Sequence, residues 1–348
     1  MRTGFGVVIT VLAACGNQPS QPSLPPDPFA DAATDGAACC TDTPVDFGGP
    51  FDRSCPPSAG VTAVFATGDA DVFVRDEKAL YWIFRGSPNI VSRLTADGSP
   101  TVAHELTDGE QANAIASTGS TLYWISGRYT KTSKLGAKQL ASGSPTLVDT
   151  RTSADESGTY VAIAATTKDL YAATTRQLLR FPVDGSAPSL LLGLSEGVIA
   201  LDARNDRVAF ASYKGVHVVP AAGGTRVTLT SEGDTSRPSR IAIGEAHVYW
   251  GKGEGLVRAP TIGGAEAVVA PKAGAFRVVD TRVYWVIGGA ATESSTIAAM
   301  DEAGGATASL VTRPRAVLDI GAVGGRLFWM EREIDGTGIC IYRRDSPI

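Results

Sequence analysis

Residues 241–269, IAIGEAHVYWGKGEGLVRAPTIGGAEAVV, constrain the fold more than any other stretch of the chain. They divide into four short apolar runs separated by glycine. Ile241 and Ile243 alternate with small residues, and His247-Val248-Tyr249-Trp250 follows, ending in an aromatic pair. Gly251-Lys252-Gly253-Glu254-Gly255 makes a turn, and Leu256 to Ala259 is a third run. Gly263-Gly264 makes a second turn, and Ala267-Val268-Val269 closes the unit. Successive side chains of a strand point to opposite faces, so period-two alternation broken by glycine predicts four consecutive strands joined by hairpins. No segment carries a 3.6-residue apolar period of helical length, so the whole chain reads as all-β.

The unit recurs. Its aromatic run aligns with Leu80-Tyr81-Trp82, Leu122-Tyr123-Trp124, Leu170-Tyr171-Ala172, Val208-Ala209-Phe210, Val248-Tyr249-Trp250, Val283-Tyr284-Trp285 and Leu327-Phe328-Trp329. The middle residues lie 42, 48, 38, 40, 35 and 44 positions apart, the length of a four-stranded propeller blade. Glycine turns keep the same register at Asp97-Gly98, Ser142-Gly143, Asp184-Gly185, Gly223-Gly224, Gly263-Gly264 and Gly304-Gly305. Such pairs suit two-residue hairpins that need positive φ. A third marker precedes each aromatic run: Val72/Val74, Ile115, Val161/Ile163, Ile199/Leu201, Ile241/Ile243, Phe276/Val278 and Leu318/Ile320. These short runs are expected to form the strands around a central channel. The expectation is a seven-bladed β-propeller of four-stranded blades. Six or eight blades are the alternatives, because Ala172 and Ala209 break the aromatic pattern.

The last unit stops after a third run, Gly338-Ile339-Cys340-Ile341-Tyr342, while Val61-Thr62-Ala63-Val64-Phe65 is left over before the first. Ring closure resolves both: the N-terminal strand would supply the outer strand of the last blade and cover an open edge.

The aromatic run resembles the YWTD-type repeat of β-propellers, found in lipoprotein-receptor propellers and in bacterial cell-surface proteins. The resemblance covers about 280 residues with three matched residues per unit. The residues after Tyr-Trp are Ile83, Ile125, Gly251 and Val286, never Thr-Asp, so that family's Asp-centred inter-blade network is not implied. The degenerate "LYW…DG" pattern is similar to that of uncharacterised bacterial propeller lipoproteins, which implies a fold and a surface location and no activity.

The N-terminus reads as an address. Arg2 precedes the apolar run GFGVVITVLAA, too short to span a bilayer and the right length for a secretory signal. Leu12-Ala13-Ala14-Cys15 resembles the bacterial lipobox, implying cleavage after residue 14 and lipidation of Cys15 with several acyl chains, enough for stable membrane anchoring. Gly16 stands where an inner-membrane retention Asp would be, which favours the outer membrane. Residues 15–58 are poor in large apolar side chains and rich in Pro, Ala, Asp and Ser, a composition expected to act as a tether. The propeller domain is then 59–348.

Four further cysteines, Cys39, Cys40, Cys55 and Cys340, are the disulfide candidates in an exported chain. Adjacent cysteines bond each other only through a strained ring. Cys39 and Cys40 are therefore expected to pair one each with Cys55 and Cys340, tying the N-terminal arm to the last repeat. Their spacing lacks the Cys-x-x-Cys pair of a zinc site.

No motif points to chemistry. His104, His217 and His247 fall in unlike positions of different units, against a three-histidine metal site. Asp69, Asp71 and Asp76 suggest a calcium loop, but the first two alternate with Ala70 and Val72 as a strand would. Nucleophile-elbow, phosphate-loop and dinucleotide motifs are missing. The Gly251–Gly255 and Gly321–Gly325 clusters read as hairpin turns, and the repeated Tyr and Trp as core between blades. Net charge is −5 without a basic stripe, which speaks against nucleic acid. No catalytic residue, metal or cofactor is assigned. The expectation is a non-enzymatic binding or scaffolding module at the cell envelope, with a protein or glycan ligand. The competing readings are a propeller hydrolase, lactonase or lyase with a metal or acidic site at the channel mouth, and a purely structural envelope protein.

Overall fold

The computed structural model describes Cys55 and residues 61–67, 73–84, 89–106, 110–127, 131–141, 143–153, 158–230, 238–288, 294–332, 339–344 and 348. Among these residues all regular structure is β, in seven antiparallel four-stranded sheets. The innermost strands are Val74–Arg75, Ala112–Ser117, Tyr160–Ala165, Val198–Arg204, Ile241–Ile243, Phe276–Val279 and Val317–Val323, opening blades 1 to 7 in that order. Each touches the next, and the last touches the first, so the sheets close a ring around a central channel. The seven-bladed propeller expected from the repeat spacing is the fold.

Each Tyr-Trp pair works through the alternation of a strand. Tyr81, Tyr249 and Tyr284 pack toward the following blade, while Trp82, Trp250 and Trp285 pack toward the preceding one. Seven apolar clusters result, one at each blade interface. The aromatics are therefore core and offer no stacking surface, as the sequence suggested. Where Ala172 replaces the Trp, Tyr160 and Phe181 join its cluster and meet edge to face. The glycines fall in the expected connections, but these are longer than the two-residue hairpins expected: residues 261–266 separate Pro260 from Ala267. Gly263 and Gly264 adopt φ of 92° and 142°, a region that side chains disfavour.

Blade 7 takes its outer strand from the N-terminus. Val61–Thr67 pairs antiparallel with Ile339–Arg344, from Val61 opposite Arg344 to Thr67 opposite Ile339, with a bulge between Ala63 and Phe65. One expectation fails at this seam. Cys55 bonds to Cys340 and not to Cys39 or Cys40. Cys340 lies on the strand beside the closing strand and Cys55 shortly upstream of it. That places their Cα atoms 5.7 Å apart, within disulfide reach. Cys39 and Cys40, like Cys15, Asp69 and Asp71, lie outside the described residues.

Candidate functional site: the charged centre of the ring

The histidines singled out in the sequence serve the scaffold. His104 is buried with its ring 4.3 Å from Trp124 of the next blade, and burial pushes its pKa down. His217 is buried between the hydroxyls of Ser212 and Thr228, each 3.1 Å away. His247, on the second strand of blade 5, is partly buried and its pKa is likewise pushed down by burial. Asp76 caps its own turn, accepting the Lys78 and Ala79 N–H groups at 2.7 and 2.9 Å, and takes the Ser117 hydroxyl at 2.5 Å. Among the described residues no three His, Cys, Asp or Glu side chains could hold a metal ion.

Sequence periodicity does not reveal a place where charged side chains from many blades meet. Arg240, just before the inner strand of blade 5, pairs with Asp319 of blade 7. Arg204 of blade 4 donates to the backbone oxygen of Asp280 in blade 6 at 2.7 Å and stands 3.8 Å from Glu245 of blade 5. Arg75 of blade 1 pairs with the Asp280 carboxylate at 3.0 Å. Each of the blade 5–7, 4–6 and 1–6 contacts skips a blade, and side chains at the inner edges of non-neighbouring sheets can meet only across the channel. Arg277 of blade 6 adds a contact to Asp319 at 3.0 Å and donates to the Phe73 backbone oxygen of blade 1.

Asp319 is the hub of this cluster. It is buried and also accepts the Phe73 N–H at 2.7 Å, so it fastens blades 1, 5, 6 and 7 together. Burial alone would raise its pKa, but Arg240 and Arg277 hold the carboxyl below the ordinary range. Asp202 of blade 4 behaves oppositely. Burial pushes it up, outweighing its bonds from the Ile243 and Ala203 N–H groups and the field of Arg277 and Arg204. Burial lowers the Arg240 pKa and Asp319 draws it back up, and a guanidinium so placed stays cationic.

The cluster is lopsided. Pairing with the second strand fixes equivalent positions in blades 2, 3, 5, 6 and 7, at Ile115, Ile163, Ile241, Phe276 and Ile320. The flanking positions hold Arg240, Arg277 and Asp319 in blades 5, 6 and 7, but Ala114, Ala116, Ala162 and Ala164 in blades 2 and 3. An acidic metal mouth would bring carboxylates together. This channel instead sets Asp202 and Asp319 among four arginines, an arrangement suited to cross-linking blades and to holding anions.

Similar structures extend the fold and stop there. The β-propeller domain of the Trilobed protease from Pyrococcus furiosus superposes with a TM-score of 0.57 at 8% identity, covering 82% of this chain and 95% of its own. It is described as having an open velcro topology, whereas here the N-terminal strand closes blade 7. The computationally designed Ika8 protein superposes at 0.52 with 14% identity, covering 79% of this chain and 96% of its own. BamB from Moraxella catarrhalis reaches 0.48 at 14% identity, covering 80% of this chain and 83% of its own. No protein-family model matches the sequence, and no curated protein matches it. At these identities the two superpositions above 0.5 agree with the class, a β-propeller, and carry no activity.

Proposed function

We propose that the chain is an exported lipoprotein, anchored through Cys15 to the cell envelope and in particular the outer membrane. Its propeller acts there as a non-enzymatic binding or scaffolding module for a protein or glycan. The observation that carries this reading is the Cys55–Cys340 disulfide, buried at Cys340, in the seam between tether and ring. Structural disulfides belong to oxidising compartments, which agrees with a secretory signal. The bond also fixes Cys55 to the third strand of blade 7. The placement of His104, His217 and Asp76 in scaffold contacts favours binding over catalysis.

The test is to express the full chain in a bacterial host fed an alkyne fatty acid and to fractionate the cells. The wild-type protein should carry the label and sediment with membranes, and Cys15→Ser should be unlabelled and soluble. An unlabelled, soluble wild-type protein sinks the anchoring. Photo-cross-linkers on each face of the ring of the anchored protein then read out binding. A discrete adduct confined to one face supports the module, and adducts from neither face count against it.

A further inference from the structure

We propose that the channel centre is a binding site for a small multivalent anion, a compound bearing two or more carboxylate or phosphate groups. The proposal is independent of the tether and of any partner on the faces of the ring.

Four guanidiniums reach the centre from blades 1, 4, 5 and 6, and each is between 20% and 25% exposed. They are held in place by the scaffold yet still open to solvent. Their present partners fall into two kinds. Asp319 is buried, and its one carboxylate serves both Arg240 and Arg277. Arg75 and Arg204 face carboxylates that belong to the solvent, with Asp280 79% and Glu245 62% exposed. Exposed pairs of that kind contribute little. An incoming anion can therefore replace Asp280 and Glu245 without stranding a buried charge. Arginine's planar fork takes carboxylate and phosphate in two parallel hydrogen bonds, and a concave site with low-dielectric walls concentrates the field of several such groups.

Blades 2 and 3 add no charge at the matching positions: Ala114, Ala116 and Ala162 pack into the blade interfaces there. An anionic group can face Arg75 and Arg204. Arg277 stands next in line, between Asp319 and the field of Asp202. A single small inorganic ion would engage only part of this set, and a ligand with two anionic groups spans it.

Isothermal titration of the purified full-length protein with citrate and, separately, pyrophosphate at low ionic strength tests the site. One-to-one saturable binding of at least one probe is expected, and the probe that binds tells carboxylate from phosphate recognition. Arg204→Gln and Arg75→Gln should each weaken binding about tenfold, the loss of one charged hydrogen bond. Lys272→Gln, at an exposed position, should leave it unchanged. Thermal melting identifies folded variants, and Arg75→Gln serves if Arg204→Gln fails to fold. Binding of neither probe overturns the proposal. So does undiminished binding by the arginine variants, or an equal loss in Lys272→Gln, which would mark diffuse surface charge.

Discussion

Arg313 on the outer strand of blade 6 and Glu331 in blade 7 form an ion pair in which both side chains are buried, at 5% and 0% exposure. Arg313 also donates to the second carboxylate oxygen at 3.3 Å and lies 4.6 Å over the Tyr342 ring, while the Trp329 indole N–H donates to Glu331 at 2.6 Å. Removing one partner leaves a buried charge alone. Glu331→Ala should therefore destabilise the fold by about 3–5 kcal/mol. Replacing both partners together, as Arg313→Met with Glu331→Leu, should cost much less, because each charge leaves with its counterpart. Urea unfolding of the three proteins decides this. Equal losses in the single and double variants would show that packing, and not charge pairing, holds the seam.

The seam is also covalent. The Cys55–Cys340 bond closes a sequence separation of 285 residues. Loop-entropy reasoning gives such a bond about 5 kcal/mol, by restricting the unfolded chain. Cys55→Ser should lower the urea midpoint accordingly, and a reducing agent should lower the wild type to the same value. Tryptic mapping without reduction should yield a peptide joining Cys55 to Cys340. A joined peptide containing Cys39 or Cys40 with either of them would show a different pairing.

Most of this fold was legible because it is periodic. Tyr249-Trp250 and Gly263-Gly264 recur at blade spacing, and the missing last strand matched the spare strand from Val61. The disulfide pairing was only half legible: ring closure puts Cys340 in the last blade and Cys55 just upstream of its closing strand, yet the rule against adjacent pairing assigns both to Cys39 and Cys40. The strain of adjacent cysteines says nothing of which partner the register brings near, and the pairing of Val61–Thr67 with Ile339–Arg344 decided it. The charged centre was missed for a similar reason: Arg240 and Asp319 are 79 residues apart and meet only once the ring has closed. A local signal existed. Arg277 sits between Phe276 and Val278, Asp202 between Leu201 and Ala203, and Asp319 between Leu318 and Ile320. A lone charge inside an apolar inner-strand run needs a partner, and all three find one across a blade interface or the channel.

A fastener joins blades 5 and 6 at their turns. The buried carboxylate of Glu302 accepts the N–H groups of Glu245, Ala246 and His247 at 3.0, 2.9 and 3.1 Å. A Cβ at Gly244 would fall inside that carboxylate. Gly244→Ala must expel Glu302 and orphan three donors, and a loss of about 2–4 kcal/mol is expected. Glu302→Ala removes the same bonds without the clash and should cost a similar amount. Combining the two should cost little more than either alone, since they break one interaction. Full additivity in chemical denaturation would separate the two residues and refute the fastener.

His217 gives the fold an acid weakness. Burial holds its pKa down to about 4, with help from Arg226 and against the pull of Glu196 3.8 Å away. Its other neighbours, Ser212 and Thr228, are neutral, and Lys214 lies 3.9 Å from Glu196. The unfolded chain takes up the proton near the ordinary histidine value of about 6.5 while the folded chain refuses it, so the unfolded state binds more protons between the two values. Stability therefore rises with pH across that window and is lost as pH falls from about 6.5 toward 4, by up to ~3 kcal/mol. Glu196 is itself held below the ordinary carboxylate range: Ser195 and Arg226 outweigh its burial, so its share is lost only at lower pH. His217→Gln keeps a polar side chain facing Ser212 and Thr228 but cannot titrate. Its urea midpoint should change less between pH 6.5 and 4 than that of the wild type. The same pH slope in both proteins would assign the acid sensitivity to other groups.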